Sequence, residues 1–292
     1  MALPLAFRNN PYAQLMRVDR PVGTLLLLWP TLAALWMAQG DQPAWYLILI
    51  FTIGTVVMRS AGCVINDYAD RHIDGAVERT KYRPLVTGAI QPKNALLLFG
   101  LLVTIAGSLV FFLSWLTLVV ALFGLALAAL YPFTKRWTHL PQTVLGAAFS
   151  WGILMAWTEV TGGITEAAGL MFAASMVWIV SYDTLYAMVD REDDLQIGVK
   201  STAILFGDLD RVMIGLLQAM TIIALLMLGR KLGYTGLYYI GVTIAALLFG
   251  YQQYLIRKRN PELCFLAFKN NVWAGFALFC GTLAELNTAL VL

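Results

Sequence analysis

Nine apolar stretches, each long enough to cross a lipid bilayer as a helix, recur along this chain of 292 residues. They lie at residues 22–38, 44–65, 95–113, 115–132, 142–158, 167–189, 212–228, 235–255 and 270–290. Apolar residues make up 60% of the chain and charged residues only 13%, which is too little charge to cover the surface of a soluble protein. The sequence therefore predicts a polytopic membrane protein whose fold class is all-α.

The longest uncharged run, from Ala95 to Tyr131, is too long for one membrane crossing. As a single helix it would extend roughly 55 Å, whereas the hydrocarbon core of a bilayer is about 30 Å thick, so we expect it to fold back near Ser114. The runs lack the alternation of apolar and polar residues that is typical of outer-membrane barrels. Residues 9–20 are expected to form a short helix along the membrane surface.

Basic residues are unevenly distributed between the two sides of the predicted membrane. With a cytoplasmic N-terminus, the outer loops contain only Arg230 and Lys231, and the other basic loop residues face the cytoplasm. This asymmetry predicts a cytoplasmic N-terminus, and it places the two longest polar segments, 66–94 and 190–211, on the cytoplasmic face. A net charge of +3 without a basic patch argues against nucleic acid as a partner, and no obligate protein partner is evident.

Two acidic segments follow the predicted second and sixth helices on the cytoplasmic side. If the second helix continues, one of its faces presents an amide and three carboxylates, Asn66, Asp67, Asp70 and Asp74. On the sixth helix, the corresponding arc contains Asp183, Tyr186, Ala187, Asp190 and Asp194. The spacing Asp-Arg-x-x-Asp occurs in both segments and forms a weak internal repeat.

Carboxylates on one helix face repel each other unless a cation offsets their charge. Oxygen ligands favour Mg²⁺, which bridges to substrate phosphates, over a soft transition metal. Basic residues suited to hold a diphosphate surround the acidic segments: Arg79, Lys81, Arg83, Lys135, Arg136 and Lys200. The candidate metal ligands are Asp67, Asp70, Asp74, Asp190 and Asp194. The alternative interpretation is that these acids only end helices in a solvated loop.

Three segments resemble the motifs of the UbiA-type intramembrane prenyltransferases. They are Asn66-Asp-x-x-Asp70-x-x-x-Asp74, Arg79-Thr-x-x-Arg83-Pro-Leu and Tyr186-Ala-x-x-Asp190-x-x-x-Asp194. Three more segments are similar to the members that prenylate 4-hydroxybenzoate: Met58-Arg59-x-Ala-Gly-Cys63, Tyr131-Pro-Phe-x-Lys135-Arg136-x-Thr-His-Leu-Pro-Gln142 and Lys200-Ser-Thr-Ala-Ile-Leu-Phe-Gly207. The resemblance extends over nearly the whole chain, which we interpret as a single membrane domain, residues 1–292.

The resemblance implies nine transmembrane helices around a central cavity, with the active site at its cytoplasmic mouth, in a bacterial inner membrane. It implies Mg²⁺ as the cofactor and polyprenyl diphosphate and 4-hydroxybenzoate as the substrates. The prenyl group would be transferred to the ring carbon ortho to the hydroxyl, a step of ubiquinone biosynthesis. Together with the residue pattern, it predicts catalytic roles for Arg136, Asp183 and Asp190. The predicted substrate-binding residues are Arg59, Asn66, Arg79, Lys81, Arg83, Lys135, Arg136, Tyr186 and Lys200.

Arg59 and Asp183 lie two turns, roughly 10 Å, deeper in their helices than Asn66 and Asp190. Intramembrane charges usually face a cavity or pair with each other. One interpretation is an ion pair that joins the two helices. In the other, Arg59 meets the carboxylate of 4-hydroxybenzoate, while Asp183 accepts from its phenol or orients Arg59.

Two alternatives to the predicted function stay open at this point. One is prenyl transfer to a different acceptor, such as another quinone-precursor ring, chlorophyllide or haem. The other is a membrane transporter, because charges inside a membrane also mark ion and substrate pathways.

Overall fold

The chain forms a helical bundle in the computed structural model, which describes residues 10–134 and 137–289. Within those residues, nine helices are long and apolar enough to cross a membrane, as predicted. The α-helices are numbered along the chain as α1 (Pro11–Leu15), α2 (Val22–Gln39), α3 (Trp45–Asp70), α4 (Pro92–Val110), α5 (Trp115–Thr134), α6 (Pro141–Thr161), α7 (Glu166–Ala187), α8 (Arg191–Ile197), α9 (Thr202–Phe206), α10 (Asp210–Lys231), α11 (Gly236–Leu255) and α12 (Pro261–Ala289). The spanning helices are α2 to α7 and α10 to α12.

The predicted turn near Ser114 is confirmed, because α4 ends before this residue and α5 begins after it. Ser114 Oγ accepts a hydrogen bond from Thr117 N at 3.3 Å and so caps the first turn of α5. The last spanning helix, α12, begins at Pro261, whereas the sequence predicted a start near residue 270. Its first turns contain charged residues such as Lys269, which interrupt the apolar run from which the span was predicted.

The N-terminal segment packs against protein side chains. The sequence predicted a surface helix over residues 9–20, whereas α1 covers only the middle of that range. Leu15 is fully buried and belongs to an apolar cluster with Ala61 and Val64 of α3 and Ile90 in the loop before α4. Leu15, which we expected in the lipid headgroup region, is therefore covered by α3 and its neighbouring loop, whereas Tyr12 of the same segment is exposed.

The bundle is packed closely on one side. α7 is the most buried spanning helix, and it contributes Met171 to the largest apolar cluster, together with Leu35 of α2 and Ile153 of α6. The backbones of α11 and α12 are in direct contact, because a Cβ added at Gly241 would lie 2.6 Å from the Ala277 carbonyl oxygen. On the other side of the bundle, few residues of α4 and α5 are buried.

One buried carboxylate holds the loops at one end of the bundle together. Asp210, at the start of α10, has no exposed surface, and it forms ion pairs with Arg191 of α8 and with Arg259 in the loop before α12. Arg259 Nη2 also donates to Asp208 O at 2.7 Å. A buried charge needs such partners, because its desolvation is strongly unfavourable. Asp210 thereby fixes the loop that contains the second acidic motif.

We expect Asp210→Ala to lower the free energy of unfolding by about 3 kcal/mol, because it leaves two arginines without their buried carboxylate. The melting temperature of the purified protein in detergent measures this change. Asp208→Ala is the matched control, since Asp208 is exposed and contacts Arg259 through a backbone oxygen that alanine retains. Equal melting temperatures for the two variants would contradict the anchoring role of Asp210.

Candidate active site

A cavity of about 1620 Å³ lies among α2 to α7 and the start of α12. Its polar end is lined by both acidic motifs, Asn66, Asp67, Asp70, Asp74, Asp190 and Asp194. The other predicted site residues in its wall are Arg59, Arg79, Arg83, Asp183, Tyr186 and Lys200. The tertiary structure therefore brings most of the predicted site residues to one cavity.

The first motif does not lie on one continuous helix, so this part of the prediction is wrong. α3 ends at Asp70, and Asp74 lies in a short 3-10 turn, Asp74–Ala76. At the helix end, Arg71 Nη1 donates to Tyr68 O at 2.6 Å and satisfies a carbonyl group of the last turn. The following loop holds Asp74, because Thr80 Oγ1 donates to Asp74 O at 2.7 Å. A turn, and not a helix face, brings Asp74 to the cavity.

Arginines bind the buried carboxylates of the first motif. Asp67 is 2% exposed, and Arg17 Nη2 donates to both of its oxygens, at 3.0 and 2.8 Å. Arg83 Nη1 lies 2.9 Å from Asp67 Oδ1 and 2.6 Å from Asp74 Oδ2, so one guanidinium bridges two carboxylates. Burial raises the pKa of Asp74 above its ordinary value, against the lowering effect of Arg83. Burial would lower the pKa of Arg83, but Asp67 and Asp74 keep it above its ordinary value.

A turn also divides the second motif. α7 ends at Ala187, Asp190 precedes α8, and Asp194 lies within α8. Asp190 starts the new helix, since its carbonyl oxygen accepts a hydrogen bond from Asp194 N at 2.8 Å. Acidic residues occupy the first turn of α8, where the helix dipole stabilises negative charge and favours a separate helix start. Because of this new helix start, the prediction that Asp183, Asp190 and Asp194 share one face of one helix is wrong. All three carboxylates nevertheless line the cavity.

Arg79 connects the loop after α3 with the second motif. Its Nε lies 2.9 Å from Asp190 Oδ1 and its Nη2 lies 2.5 Å from Asp190 Oδ2, which is a two-point contact. Its guanidinium also lies 4.5 Å from the ring centre of Tyr186 in a cation–π contact. Burial would lower the pKa of Arg79, but Tyr186 and Asp190 keep it above its ordinary value. Arg79 therefore carries a positive charge at the junction of the two motifs.

The predicted lysines differ in what they contact. Lys200 lines the cavity, and its Nζ lies 3.5 Å from Trp137 O. Lys81 Nζ donates to Glu78 Oε2 at 2.6 Å within its own loop, and Lys81 is not among the residues of the cavity wall. Two further predicted diphosphate ligands lie outside the described residues, Lys135 and Arg136.

Arg59 lies deeper in the cavity wall, on α3. Its Nη1 donates to Cys63 Sγ at 2.6 Å, and its guanidinium lies 5.5 Å from the ring centre of Phe149. Its Nε is buried and has no hydrogen-bond partner in the part of the chain that the structure describes. Within the described residues, Arg59 and Asp183 do not form the ion pair of the first interpretation. Of the two interpretations of Arg59, this geometry favours contact with a ligand.

The sequence argument missed residues from both ends of the chain. Arg17 is one of the basic residues that the sequence predicted only to face the cytoplasm, yet its Nη2 donates to Asp67. Phe265 and Phe268 of α12 line the cavity beside Tyr186, with ring centres 6.1 and 4.9 Å from its ring centre. The predicted last span began after both phenylalanines, which explains why they were missed. The signal available in the sequence was the presence of two phenylalanines within the predicted cytoplasmic loop, residues 256–269.

Oxygen atoms at the polar end of the cavity suit a hard metal ion. Asn66 Oδ1 is buried and has no hydrogen-bond partner within the described ranges, and Asp70 is 7% exposed. Carboxylate and amide oxygens are ligands that Mg²⁺ prefers. Among residues 10–134 and 137–289, no three acidic, His or Cys side chains converge as a metal centre. Asp67, Asp74 and Asp190 are instead bound by arginines.

The sequence model of the UbiA prenyltransferase family matches residues 27–279, a range that contains both acidic motifs. The chain belongs to the UbiA prenyltransferase family. This UbiA family member is 56% identical to the 4-hydroxybenzoate octaprenyltransferase of Alcanivorax borkumensis over 271 residues, which are 93% of each chain. It is 53% identical to the protein of the same name from Saccharophagus degradans, over 97% of this chain and 94% of the relative. Family membership and its nine apolar helices within the described residues make it an integral membrane protein.

Solved structures share the fold of this UbiA family member. The apo structure of a UbiA homologue from Aeropyrum pernix K1 is 21% identical, with a TM-score of 0.81 over 90% of this chain and 97% of that chain. A UbiA homologue from Archaeoglobus fulgidus bound to GPP and Mg²⁺ is 18% identical, with a TM-score of 0.69 over 92% and 99% of the two chains. These comparisons confirm the predicted all-α membrane fold.

Proposed function

We propose that this chain transfers a polyprenyl group from a polyprenyl diphosphate to the ring carbon ortho to the hydroxyl of 4-hydroxybenzoate, in ubiquinone biosynthesis. One observation carries the proposal: a single cavity has acidic and basic residues at one end and apolar side chains along much of its wall. A substrate with a diphosphate head and a hydrocarbon tail matches both parts. The chain is also 51–56% identical to proteins named 4-hydroxybenzoate octaprenyltransferase, over more than nine-tenths of its length.

Basic residues at the polar end would hold the diphosphate. Arg79, Arg83 and Lys200 line the cavity, and charge-assisted hydrogen bonds suit phosphate oxygens. Lys135 and Arg136 are proposed as further ligands on the resemblance of their sequence segment. These side chains would neutralise negative charge on the departing diphosphate, which is where an ionising allylic ester needs stabilisation most.

We also propose Mg²⁺ as the cofactor. The oxygen-only donor set and the buried Asn66 Oδ1 fit this ion, and the carboxylates that would hold it are Asp70, Asp74, Asp190 and Asp194. Asp67, the fifth predicted ligand, already has both carboxylate oxygens bound by arginine. The A. fulgidus homologue was solved with GPP and Mg²⁺ and also with Cd²⁺. When bound, the metal supplies positive charge to the leaving diphosphate.

The apolar wall would keep water away from the reacting carbon. Leu125, Phe149 and Met155 line the cavity beyond its polar end, and an allylic cation in such surroundings is protected from hydrolysis. Tyr186 and Phe268 add aromatic faces next to the polar end, where a developing cation is attracted to ring electrons.

The polyprenyl tail needs a path from the cavity to the lipid. α4 and α5 have few contacts with each other although only a short loop joins them, and both helices line the cavity. We infer that the tail extends between them into the bilayer, because a long tail cannot be buried inside a chain of this size.

The acceptor would bind deeper than the diphosphate, at Arg59. The carboxylate of 4-hydroxybenzoate would satisfy the buried Nε of Arg59. Asp183, which also lines the cavity, would accept from the phenol or orient Arg59. During transfer the bond from the prenyl carbon to the diphosphate oxygen breaks, and the oxygen keeps the electron pair. The ortho ring carbon then bonds to the prenyl carbon, and its proton passes to an oxygen of the released diphosphate.

The transporter alternative is less well supported by the arrangement of charges. Transporters place ionisable residues near the middle of the membrane, between inverted repeats. Here both acidic motifs meet at the same end of one cavity. The excess of basic residues in the loops on that side supports a cytoplasmic N-terminus in a bacterial inner membrane.

An assay with purified protein in detergent tests the proposal. It contains radiolabelled 4-hydroxybenzoate, a polyprenyl diphosphate and Mg²⁺, and the product is identified by its mass. A dihydroxynaphthoate, offered separately at the same concentration, is the control for acceptor choice. If the naphthoate is prenylated in preference, 4-hydroxybenzoate is not the acceptor. If neither ring gives a product, the proposed prenyl transfer is wrong.

We expect a chelator to abolish transfer and added Mg²⁺ to restore it. Asp70→Ala and Asp190→Ala should each lower the rate roughly a hundredfold or more, because each removes a proposed source of charge stabilisation in the transition state. Initial rates with and without chelator measure the effect, and the exposed Asp208→Ala is the control. Full activity of Asp190→Ala in excess chelator would contradict the metal–diphosphate assignment.

Gly54 of α3 lines the cavity, and a Cβ added there would meet no atom within 4 Å. We expect Gly54→Leu to fill part of the tail path and to lower kcat/KM about tenfold more for a long polyprenyl diphosphate than for geranyl diphosphate. Gly100→Leu is the matched control, because Gly100 has equally open space but is not part of the cavity wall. Equal losses for both donors in Gly54→Leu would argue against a tail path along this helix.

Arg59→Met should raise KM for 4-hydroxybenzoate by roughly 10- to 150-fold, the range expected for a charge-assisted hydrogen bond. KM for the prenyl diphosphate should change little, because Arg59 lies away from the polar end. Steady-state kinetics with each substrate varied in turn measure this split. Cys63→Ala is the control, since it removes only the Nη1 contact. Normal kinetics for both substrates in folded Arg59→Met would eliminate the acceptor-binding role.

A further inference from the structure

The N-terminal segment, residues 10–20, reaches the polar end of the cavity although it precedes the range that matches the family. Leu15 is fully buried against α3 and holds the segment by apolar packing. Arg17 holds it by charge, because its Nη2 donates to both carboxylate oxygens of Asp67, at 3.0 and 2.8 Å. The segment is therefore docked at the first acidic motif by two independent contacts.

Arg17 occupies a backbone position that favours glycine. Its φ is +58°, in the left-handed region. Hydrogen bonds from Arg17 N to Gln14 O and from Val18 N to Ala13 O close the end of α1 around it. Helix ends of this kind usually have glycine at this position, because an L side chain is strained there. An arginine kept against the backbone preference indicates that its guanidinium is needed.

Asp67 connects this guanidinium with the proposed diphosphate ligands. Arg83 Nη1 lies 2.9 Å from Asp67 Oδ1 and 2.6 Å from Asp74 Oδ2. Asp67 is 2% exposed, and a carboxylate buried to that degree must be compensated by its neighbours. Without Arg17 the whole compensation would fall to Arg83, which would then be drawn toward Asp67 and away from Asp74.

We propose that Arg17 is a positioning residue of the diphosphate site: by binding Asp67, it keeps Arg83 placed to bind the diphosphate. The inference rests on the proposed function, in which Arg83 is a diphosphate ligand. It gives Asp67 the role of joining two arginines, in place of the metal ligation that the sequence suggested. The N-terminal segment thereby contributes to diphosphate binding through Arg17.

Two substitutions separate the effect of the guanidinium from that of the backbone. Arg17→Gly removes the side chain and relieves the left-handed strain, whereas Arg17→Ala removes the side chain and keeps the strain. We expect Arg17→Gly to melt at a higher temperature than Arg17→Ala. Both variants should nevertheless raise KM for the prenyl diphosphate about tenfold and leave KM for 4-hydroxybenzoate unchanged.

A matched control and a conservative variant complete this set. Lys93→Ala should leave both KM values unchanged, because Lys93 is an exposed basic residue of α4 that is not part of the cavity wall. Arg17→Lys keeps the positive charge and should recover part of the affinity. The inference would be overturned if KM for the prenyl diphosphate rose only in the variants with lower melting temperatures, whether or not they retain the guanidinium.

A double variant tests whether Arg17 acts through Asp67. Arg17→Gly combined with Asp67→Asn removes both charges, so no buried carboxylate remains to draw Arg83 away from Asp74. We expect a lower KM for the prenyl diphosphate than in Arg17→Gly alone. A KM as high as in the single variant, or higher, would overturn the positioning role.

Binding of inorganic diphosphate with Mg²⁺, measured by calorimetry, separates this inference from the proposed function. Wild type that binds diphosphate but transfers no prenyl group would overturn the proposed function alone, and about tenfold weaker binding by Arg17→Gly would still support the inference. Equal diphosphate binding by wild type and Arg17→Gly, with normal transfer, would overturn the inference alone. Absence of binding by either protein would overturn both.

Discussion

Compensation of buried negative charge governs the structure at the polar end of this membrane bundle. Asp67 is 2% exposed and Asp210 has no exposed surface, and each binds two arginines. Carboxylates taken out of water are strongly unfavourable without such partners. The arginines come from segments that are distant in the sequence, such as Arg17 near the N-terminus and Arg259 before the last helix. The ion pairs therefore also determine where the connecting loops lie.

The arginines that bind the carboxylates of the two acidic motifs, Arg17, Arg79 and Arg83, also line the cavity. Arg83 bridges Asp67 and Asp74, and Arg79 makes a two-point contact with Asp190. In the proposed reaction, these guanidiniums meet a diphosphate while the carboxylates meet a divalent cation. Positive and negative charge would enter the site together, so neither set of buried groups would be left without compensation.

The packing of the bundle is uneven in a way that fits a lipid substrate. On the closely packed side, Gly241 allows the backbones of α11 and α12 to touch. On the open side, α4 and α5 have few contacts with each other and line the cavity. In lipid, apolar side chains exposed on such helices are not unfavourable, so the bundle can remain open there without loss of stability.

The sequence by itself determined the nine spans, because in lipid the length and hydropathy of each run suffice to define a helix. It also determined that both acidic motifs lie on the same side of the membrane, since an even number of spans separates them, whereas their meeting at one cavity is a result of the tertiary structure. It did not determine that the helices end at Asp70 and Ala187, because one spacing of acids fits both a continuing helix and a turn. Only the tertiary structure decided that Arg17 binds Asp67. A basic residue before a span has the same sequence pattern whether it faces lipid headgroups or a buried carboxylate, and the difference lies in a contact between residues far apart in the chain.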